Sequence, residues 1–539
     1  MATPHPLAPY ARTDMRFGAS VRLALPMMHI FLYGPPGTGK STIGRKLARN
    51  LKLPFVDLDR VIETKAGMSI AQIIEQQGEM AFRNMESAAL RETVGGSLSG
   101  TMSTDKVIAL GGGALLRDEN SQFAEVHGQI VLLMAELPTL LERMKHDAGK
   151  RPLLAGNLKT KLTSLLEKRR DHYNSFPVKM YVDQKTIEQN VHNVQMLLGR
   201  YHLSAMGEYD VLVGPVSYLK DFQMQHSVIV TDEHVARLHG ETILTSLRNA
   251  DFAPKLITVP AGEAYKKLDT IQKLWSAFLE HGLDRKSTVI ALGGGVVSDM
   301  AGFAAATYMR GIHWVCIPTT LLSMVDASLG GKTGFDLPEG KNLIGAFYPP
   351  ERVLADPQLL STLPQAEFIS GMAEVVKHGI IADPDLFDLC AQGLDCIKDN
   401  LEQVVKRAMA VKIRIIEDDP YEKGFRAVLN LGHTVGHAVE LVSKFALRHG
   451  EAIAIGMVVE AKFAERIGVA KLGLSGEIVA VLEKLGLPVQ IPGGMSRKEI
   501  LRAMRVDKKK HAASIRFALP VDVGSVELVE VTDLESVLE

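Results

Sequence analysis

The stretch His29-Ile-Phe-Leu-Tyr33-Gly34-Pro-Pro-Gly37-Thr-Gly39-Lys40-Ser41-Thr42 joins three signals in order. An apolar run without alternation predicts a strand buried on both faces, as in a parallel sheet. The glycines that follow allow a tight turn, and a helix is expected from Lys40 onward. Backbone N–H groups of such a turn wrap phosphate oxygens, because the helix N-terminus carries unpaired donors and a positive dipole end. Lys40 would then neutralise the terminal phosphates of a nucleotide and the Ser41 hydroxyl would hold Mg²⁺. Gly37, Gly39, Lys40, Ser41 and Thr42 are therefore the expected ATP contacts.

The remaining chain sets the bounds. At 539 residues it is too long for one ordinary domain, and three or four compact units are expected. Lysine and arginine total 61 against 62 acids, which argues against a general binder of nucleic acid. No apolar run approaches the roughly twenty residues that span a bilayer. Only Cys316, Cys390 and Cys396 occur, without Cys-x-x-Cys spacing, so neither a disulfide framework nor a thiolate metal site is expected, and a cytoplasmic setting follows. Residues 1–27 are rich in proline and arginine and read as a flexible extension.

After the phosphate loop come Phe55-Val-Asp57-Leu-Asp59, Phe82-Arg83, Gly111-Gly112-Gly113, Arg151-Pro-Leu-Leu154 and Arg169, four before Tyr173. Asp57 and Asp59 alternate, which would turn both to one face at a strand end. Each residue alone has a duller reading, as a helix cap or a solvated charge, but their convergence behind a phosphate loop does not. These motifs resemble the shikimate kinases over residues 28–198. The resemblance implies that Asp57 supports Mg²⁺ through water and that Asp59 receives or orients the attacking hydroxyl. It implies that Arg83, Arg169 and the glycines hold shikimate, and that Arg151 reaches the ATP phosphates. Cations and positioning are what a loose phosphoryl transition state needs. The segment between Gly95 and Asp105 is read as a surface insertion.

A second pattern begins near residue 205. The string Val-Ile-Ala-Leu-Gly-Gly-Gly occurs at 107–113 and again at 289–295, but the flanks differ, so shared strand-and-turn physics explains it better than duplication. The second copy runs Gly293-Gly294-Gly295-Val-Val-Ser298-Asp299, a dinucleotide fingerprint with serine for its last glycine. Further on stands Asn430-Leu-Gly-His433-Thr-Val-Gly-His437, followed by Arg448-His449-Gly-Glu. His433 and His437 share a helix face, and the three histidines read as one helix plus a turn able to serve a metal such as zinc. A carboxylate must come from elsewhere, and Glu374 in Gly371-Met-Ala-Glu374-Val-Val-Lys377-His is the best candidate.

With Arg310, Thr319-Thr320, Asp326, Lys332, Lys341-Asn342 and Arg426 in order, these motifs closely resemble the 3-dehydroquinate synthases over residues 205–539. The resemblance implies an α/β NAD-binding domain at 205–360 and a mainly helical metal domain at 361–539. It gives Zn²⁺ or Co²⁺ to Glu374, His433 and His449, and turns His437 to the substrate. NAD⁺ would rest on Gly294, Gly295 and Asp299, with Asp232, Glu263, Lys266, Thr319, Thr320 and Lys341 around it. The anionic substrate falls to Asp326, Lys332, Asn342, Lys377, Lys412, Arg426, Asn430 and His437, with Lys509 from Asp507-Lys-Lys-Lys510. Lys332, Lys377 and His437 would be catalytic, and Arg310 would enter from the second subunit of a homodimer. Both halves together look like a bifunctional shikimate kinase and 3-dehydroquinate synthase acting on small molecules.

Two rival readings remain at the level of sequence. A metal-dependent polyol dehydrogenase would share NAD and histidine ligands but would not need Lys332, Lys377, Lys412 and Arg426 together. A scaffold with one inactive half would not need intact Lys40, Asp59, Glu374, His433 and His449.

Overall fold

The computed structural model describes residues 29–95, 105–145, 158–219, 225–249, 252–507 and 514–539. Residues 1–27, the segment between Gly95 and Asp105, Arg151 with its Pro-Leu-Leu neighbours, and Lys509 lie wholly or mainly outside them. The chain divides into two compact units, with the boundary along the sequence between Tyr201 and His202. The second unit is large because its sheet and its helices cluster together.

In the first unit the strands β1 His29–Tyr33, β2 Phe55–Asp57, β3 Val107–Ala109, β4 Gly128–Met134 and β5 Lys179–Tyr181 form a parallel sheet in the order 2-3-1-4-5. All five residues of β1 are buried, as a central strand covered on both faces requires. One core cluster gathers Ile30, Leu32, Leu47, Val131 and Leu197, and another gathers Phe31, Tyr33, Leu58, Leu90 and Leu132. Alternate residues of β1 thus serve opposite layers. The loop after β1 opens at the C-terminal end of the middle strand, where open α/β sheets place ligands.

The second unit holds a seven-stranded sheet in the order 6-7-14-11-10-8-9. Its strands are β6 Arg200–Leu203, β7 Tyr209–Val213, β8 Gln225–Asp232, β9 Lys255–Val259, β10 Ser287–Gly293, β11 His313–Pro318 and β14 Arg352–Ala355. The hairpin β12 Lys332–Leu337 with β13 Gly340–Phe347 is antiparallel, and so is β15 Ile515–Asp522 with β16 Ser525–Val531. The rest is mainly helical. Helix Gln365–Ala382 is buried without a break from Ser370 to its end. A helix apolar all round belongs in a core, so the buried Glu374, Lys377 and His378 along it stand out. Among the described residues no helix is long and apolar enough to cross a membrane.

Candidate active sites

In the first unit the glycine turn is enforced by space as well as by dihedral angle. Gly34 has φ 137°, and a Cβ there would stand 2.1 Å from the Leu133 carbonyl oxygen. Gly39, at φ 87°, caps the helix Lys40–Asn50. Lys40 donates from Nζ to the carbonyls of Gly34 at 2.8 Å and Pro35 at 2.9 Å, so it lies across the loop. Ser41 donates to Asp57 Oδ2 at 2.6 Å, which joins two of the residues expected at Mg²⁺.

The two aspartates do not alternate along one strand, as the sequence suggests. Asp57 ends β2, whereas Asp59 lies in the first turn of helix Leu58–Ala66, because the chain coils directly after the strand. Asp59 nevertheless reaches the triple glycine: a Cβ at Gly111 would lie 2.9 Å from Asp59 Oδ1 and 2.6 Å from Glu86 Oε1. A Cβ at Gly113 would meet the Arg83 guanidinium at 2.8 Å. Arg169 donates to the Gly112 carbonyl at 2.6 Å, and the hydroxyl of Tyr173 donates there at 3.2 Å. Asp59, Arg83, Arg169 and the triple glycine are thus assembled around one floor. Glu86 was not expected from sequence. It is buried, accepts from Arg83 at 2.8 Å, and burial pushes its carboxyl up while Arg83 opposes the shift.

In the second unit the three histidines come from two helices, not one. His433 begins the helix His433–Val442 and His449 begins the helix His449–Arg466. Close packing brings the two together: a Cβ on Gly456 would stand 1.9 Å from the Gly432 carbonyl, and one on Gly450 only 1.8 Å from the Ser370 carbonyl. Glu374 Oε1 then lies 3.6 Å from Nε2 of His433 and 3.6 Å from Nε2 of His449. These separations are too long for hydrogen bonds and suit a cation placed about 2.0–2.2 Å from each atom. Neither oxygen of the fully buried Glu374 has a hydrogen-bond partner by strict geometry, although Lys377 pairs with it closely. The donor set therefore fits a divalent metal.

The charges agree. Burial first, then Lys377, hold His433 well below the usual histidine range, which keeps the ring neutral as a ligand must be. Burial pulls His449 down too, but the carboxylates of Glu374 and Glu440 facing its two ring nitrogens outweigh it and raise the ring to about 9, so a metal would take the place of a proton there. Burial would raise Glu374, yet Lys377 and both histidines bring it well below the ordinary carboxylate range. Two overlapping groups, His437–Glu440–His449 and Asp326–Glu374–His378, have metal-like spacing as well. Asp326 is already held as a carboxylate by Lys412, which also donates to its backbone carbonyl at 2.6 Å.

Other expected residues fall into neighbouring sets. Lys266 donates to Asp299 and to Asn342, each at 2.6 Å. Gly294 faces Thr320, with a built Cβ 3.0 Å from its methyl group, and Gly295 faces Ala327. The N–H of Thr319 bonds to the Gly293 carbonyl at 2.9 Å. Helix Gly295–Thr307 forms despite Ser298, whose hydroxyl turns back to the Gly295 carbonyl. Arg426 donates to the Pro420 carbonyl and would touch a Cβ on Gly330 at 2.8 Å, while Lys332 pairs with Glu422 at 3.1 Å. Asp232 caps the turn at His234 and Val235. Asn430 ends a short helical turn, and Arg310 is exposed with φ 70°. Three buried or partly buried acids escaped the sequence: Glu86, Glu440 and Glu460, the last accepting from Gly432 N–H at 2.6 Å.

A phosphate loop backed by Asp57 and a metal-fitted carboxylate–histidine cluster define a chain with two enzyme sites, one for phosphoryl transfer and one for metal-assisted chemistry. The shikimate kinase model matches residues 36–198. The 3-dehydroquinate synthase N-terminal and C-terminal models match 256–370 and 371–510. A 3-dehydroquinate synthase from Crocosphaera subtropica is 41% identical over 336 residues, covering 60% of this chain and 92% of its own. A 2-deoxy-scyllo-inosose synthase, crystallised with carbaglucose-6-phosphate, NAD⁺ and Co²⁺, is 27% identical with a TM-score of 0.56, covering 62% of this chain and 96% of its own. A 2-epi-5-epi-valiolone synthase from Streptomyces hygroscopicus, with NAD⁺ and Zn²⁺ bound, is 29% identical with a TM-score of 0.56, covering 61% and 94%. The chain belongs to the 3-dehydroquinate synthase family and carries a shikimate kinase domain ahead of it. It is a bifunctional enzyme of the shikimate pathway, a kinase and a lyase in one polypeptide.

Proposed function

We propose that the first unit transfers the γ-phosphoryl group of Mg²⁺-ATP to the 3-hydroxyl of shikimate. The second would convert 3-deoxy-D-arabino-heptulosonate 7-phosphate to 3-dehydroquinate and phosphate. The observation that carries the synthase reading is the cluster of buried Glu374, Lys377 and Lys412 with half-buried Asp326, beside His433 and His449. Buried cations next to metal ligands suit an anionic substrate, whereas a polyol dehydrogenase has no use for them.

In the kinase unit Lys40 would leave its loop carbonyls for the β and γ phosphates. Ser41 and Asp57 would hold Mg²⁺, Asp59 would orient the shikimate hydroxyl, and Arg83 and Arg169 would hold the carboxylate. In the synthase unit Glu374, His433 and His449 would hold Zn²⁺ or Co²⁺. NAD⁺ and the metal supply a reversible oxidation of one substrate hydroxyl and polarisation of its oxygen. Lys332, Lys377, Lys412 and Arg426 would bind the carboxylate and phosphate, and His437 would face the substrate. NAD⁺ would rest on Gly294 and Gly295, with Asp232 and Glu263 on the adenosine side, Lys266, Asp299, Thr319, Thr320 and Lys341 around it, and Asn342 toward the substrate. Exposed Arg310, on its strained turn, would enter the site of a second copy in a homodimer.

One purified preparation of the full chain tests this. It should phosphorylate shikimate with ATP, and it should release phosphate from the heptulosonate with catalytic NAD⁺ and no accumulation of NADH. Stoichiometric free NADH would favour the dehydrogenase rival and end the synthase reading.

A further inference from the structure

Glu440 lies three residues beyond His437 on the helix His433–Val442 and uses both carboxylate oxygens. Oε2 is 3.5 Å from Nδ1 of His449, and Oε1 is 3.5 Å from Nζ of Lys341 on β13. Lys341 also approaches Glu263 at 3.6 Å and stands 4.2 Å from the centre of the Phe445 ring. The Phe445 position is built, not incidental. Lys444 and Phe445 both take left-handed φ values, 54° and 61°, and the Phe445 N–H returns to the Glu440 carbonyl at 3.0 Å. One short turn therefore fixes Glu440 from the backbone side and Lys341 from the aromatic side.

We infer that Glu440 is a positioning residue shared by two ligand sites, orienting His449 for a divalent metal and Lys341 for NAD⁺, so that filling either site tightens the other. The inference rests on the reading of Glu374, His433 and His449 as metal ligands and of Lys341 and Glu263 as NAD⁺ contacts. A histidine that gives one ring nitrogen to a metal is oriented by the acceptor that receives its other N–H, and such partners matter to affinity. A ring fixed at Nε2 presents Nδ1–H to Oε2 of Glu440. The planar carboxylate then has Oε1 turned toward Lys341, a long side chain that would otherwise lose rotamer freedom on meeting the cofactor. Coupling of this kind must be equal in both directions.

The test uses the full chain stripped of metal. Co²⁺ binding is read from its visible absorption and NAD⁺ binding by calorimetry, each with and without the other ligand. In the wild type, Co²⁺ should tighten NAD⁺ about 5–10-fold, and NAD⁺ should tighten Co²⁺ by the same factor. Glu440→Gln should weaken Co²⁺ roughly 10–100-fold and remove the coupling. Lys341→Met should weaken NAD⁺ itself, and its Co²⁺ affinity should no longer respond even at NAD⁺ concentrations that saturate the variant, which the mere loss of an NAD⁺ contact would not do. If Glu440→Gln fails to fold, Lys341→Met decides alone. Wild-type affinities that ignore the second ligand, or wild-type Co²⁺ affinity in folded Glu440→Gln, would overturn the inference. So would Co²⁺ retained by His433→Ala but lost from Glu440→Gln, since Glu440 would then be a ligand. A Co²⁺ spectrum unchanged by Glu374→Gln and His449→Ala would overturn the metal-site reading itself, and this inference with it.

Discussion

Ser41 and Asp57 are joined by a 2.6 Å hydrogen bond, with the hydroxyl donating to Oδ2. An O–H donor to a carboxylate at this length is a charge-assisted bond. It fixes the rotation of the serine hydroxyl at the start of the helix that follows the phosphate loop. Ser41→Ala should therefore raise the Mg²⁺ concentration needed for half-maximal kinase activity, roughly tenfold or more, if the bond contributes about 1.5–3 kcal/mol. Asp57→Asn should move the same parameter, and a titration of rate against free Mg²⁺ reads both. Unchanged Mg²⁺ dependence in both variants would remove these residues from the metal.

Lys40 donates to two carbonyls of its own loop, across the turn that would wrap the phosphates. Lys40→Ala should lower the kinase kcat by about 10²–10³-fold, as loss of a cation aimed at transition-state charge does. Phosphate release from the heptulosonate should stay near the wild-type rate. Parallel loss of both activities would show that the two units do not work independently.

His449→Ala removes one of the two ring nitrogens 3.6 Å from Glu374 Oε1. Synthase activity should disappear, and treatment of the wild type with a chelator should have the same effect. Kinase activity assayed with added Mg²⁺ should survive both. Synthase turnover persisting in metal-free enzyme would mean the cluster serves another purpose.

Gly450 follows His449, and any side chain there enters the Ser370 carbonyl. Gly450→Ala should push the helix His449–Arg466 away from the helix that carries Glu374. A destabilisation of about 1–3 kcal/mol is expected from overpacking, with weaker Co²⁺ binding alongside. Thermal unfolding and Co²⁺ titration of the full chain would measure the two effects separately.

His29 opens β1 as a buried ring whose Nδ1 accepts the Lys106 N–H at 3.0 Å. Burial, with smaller contributions from Lys106, His127 and Arg200, lowers its pKa below the ordinary 6.5. The unfolded chain therefore takes up a proton first as pH falls. The stabilising contribution is complete above about pH 6.5 and is lost progressively below it. The midpoint for thermal inactivation of the kinase should drop between pH 7.5 and 5.5, and the drop should be smaller in His29→Gln. Equal drops in both proteins would assign the acid sensitivity elsewhere.

Much of this was open to reading because it is local. The phosphate loop depends on glycines within eight residues, and β1 declares its burial by unbroken apolarity. Helix Gln365–Ala382 shows its site as polar residues on a helix otherwise fit for a core. What escaped depends on contacts across the fold. Glu86 is ordinary until Arg83 and Asp59 are brought beside it, and Glu460 until Gly432 turns its N–H inward. A signal was present for Glu440, since residues 433, 437 and 440 recur on one helix face. The assignment of Asp59 to a strand failed because alternation over three residues cannot tell a strand end from a helix start.

The passage from the first unit to the second inside β6 restricts where the polypeptide can be severed. A cut after Leu203 would leave β7 at the margin of its sheet with its outer N–H and C=O groups unpaired, an open template for association with other molecules. A cut ahead of Arg200 would retain that border strand with the synthase half, at the cost of the Arg200–Asp105 ion pair on the kinase side. Separate production of the two halves is thus a choice between a sticky synthase and a kinase deprived of one surface tie.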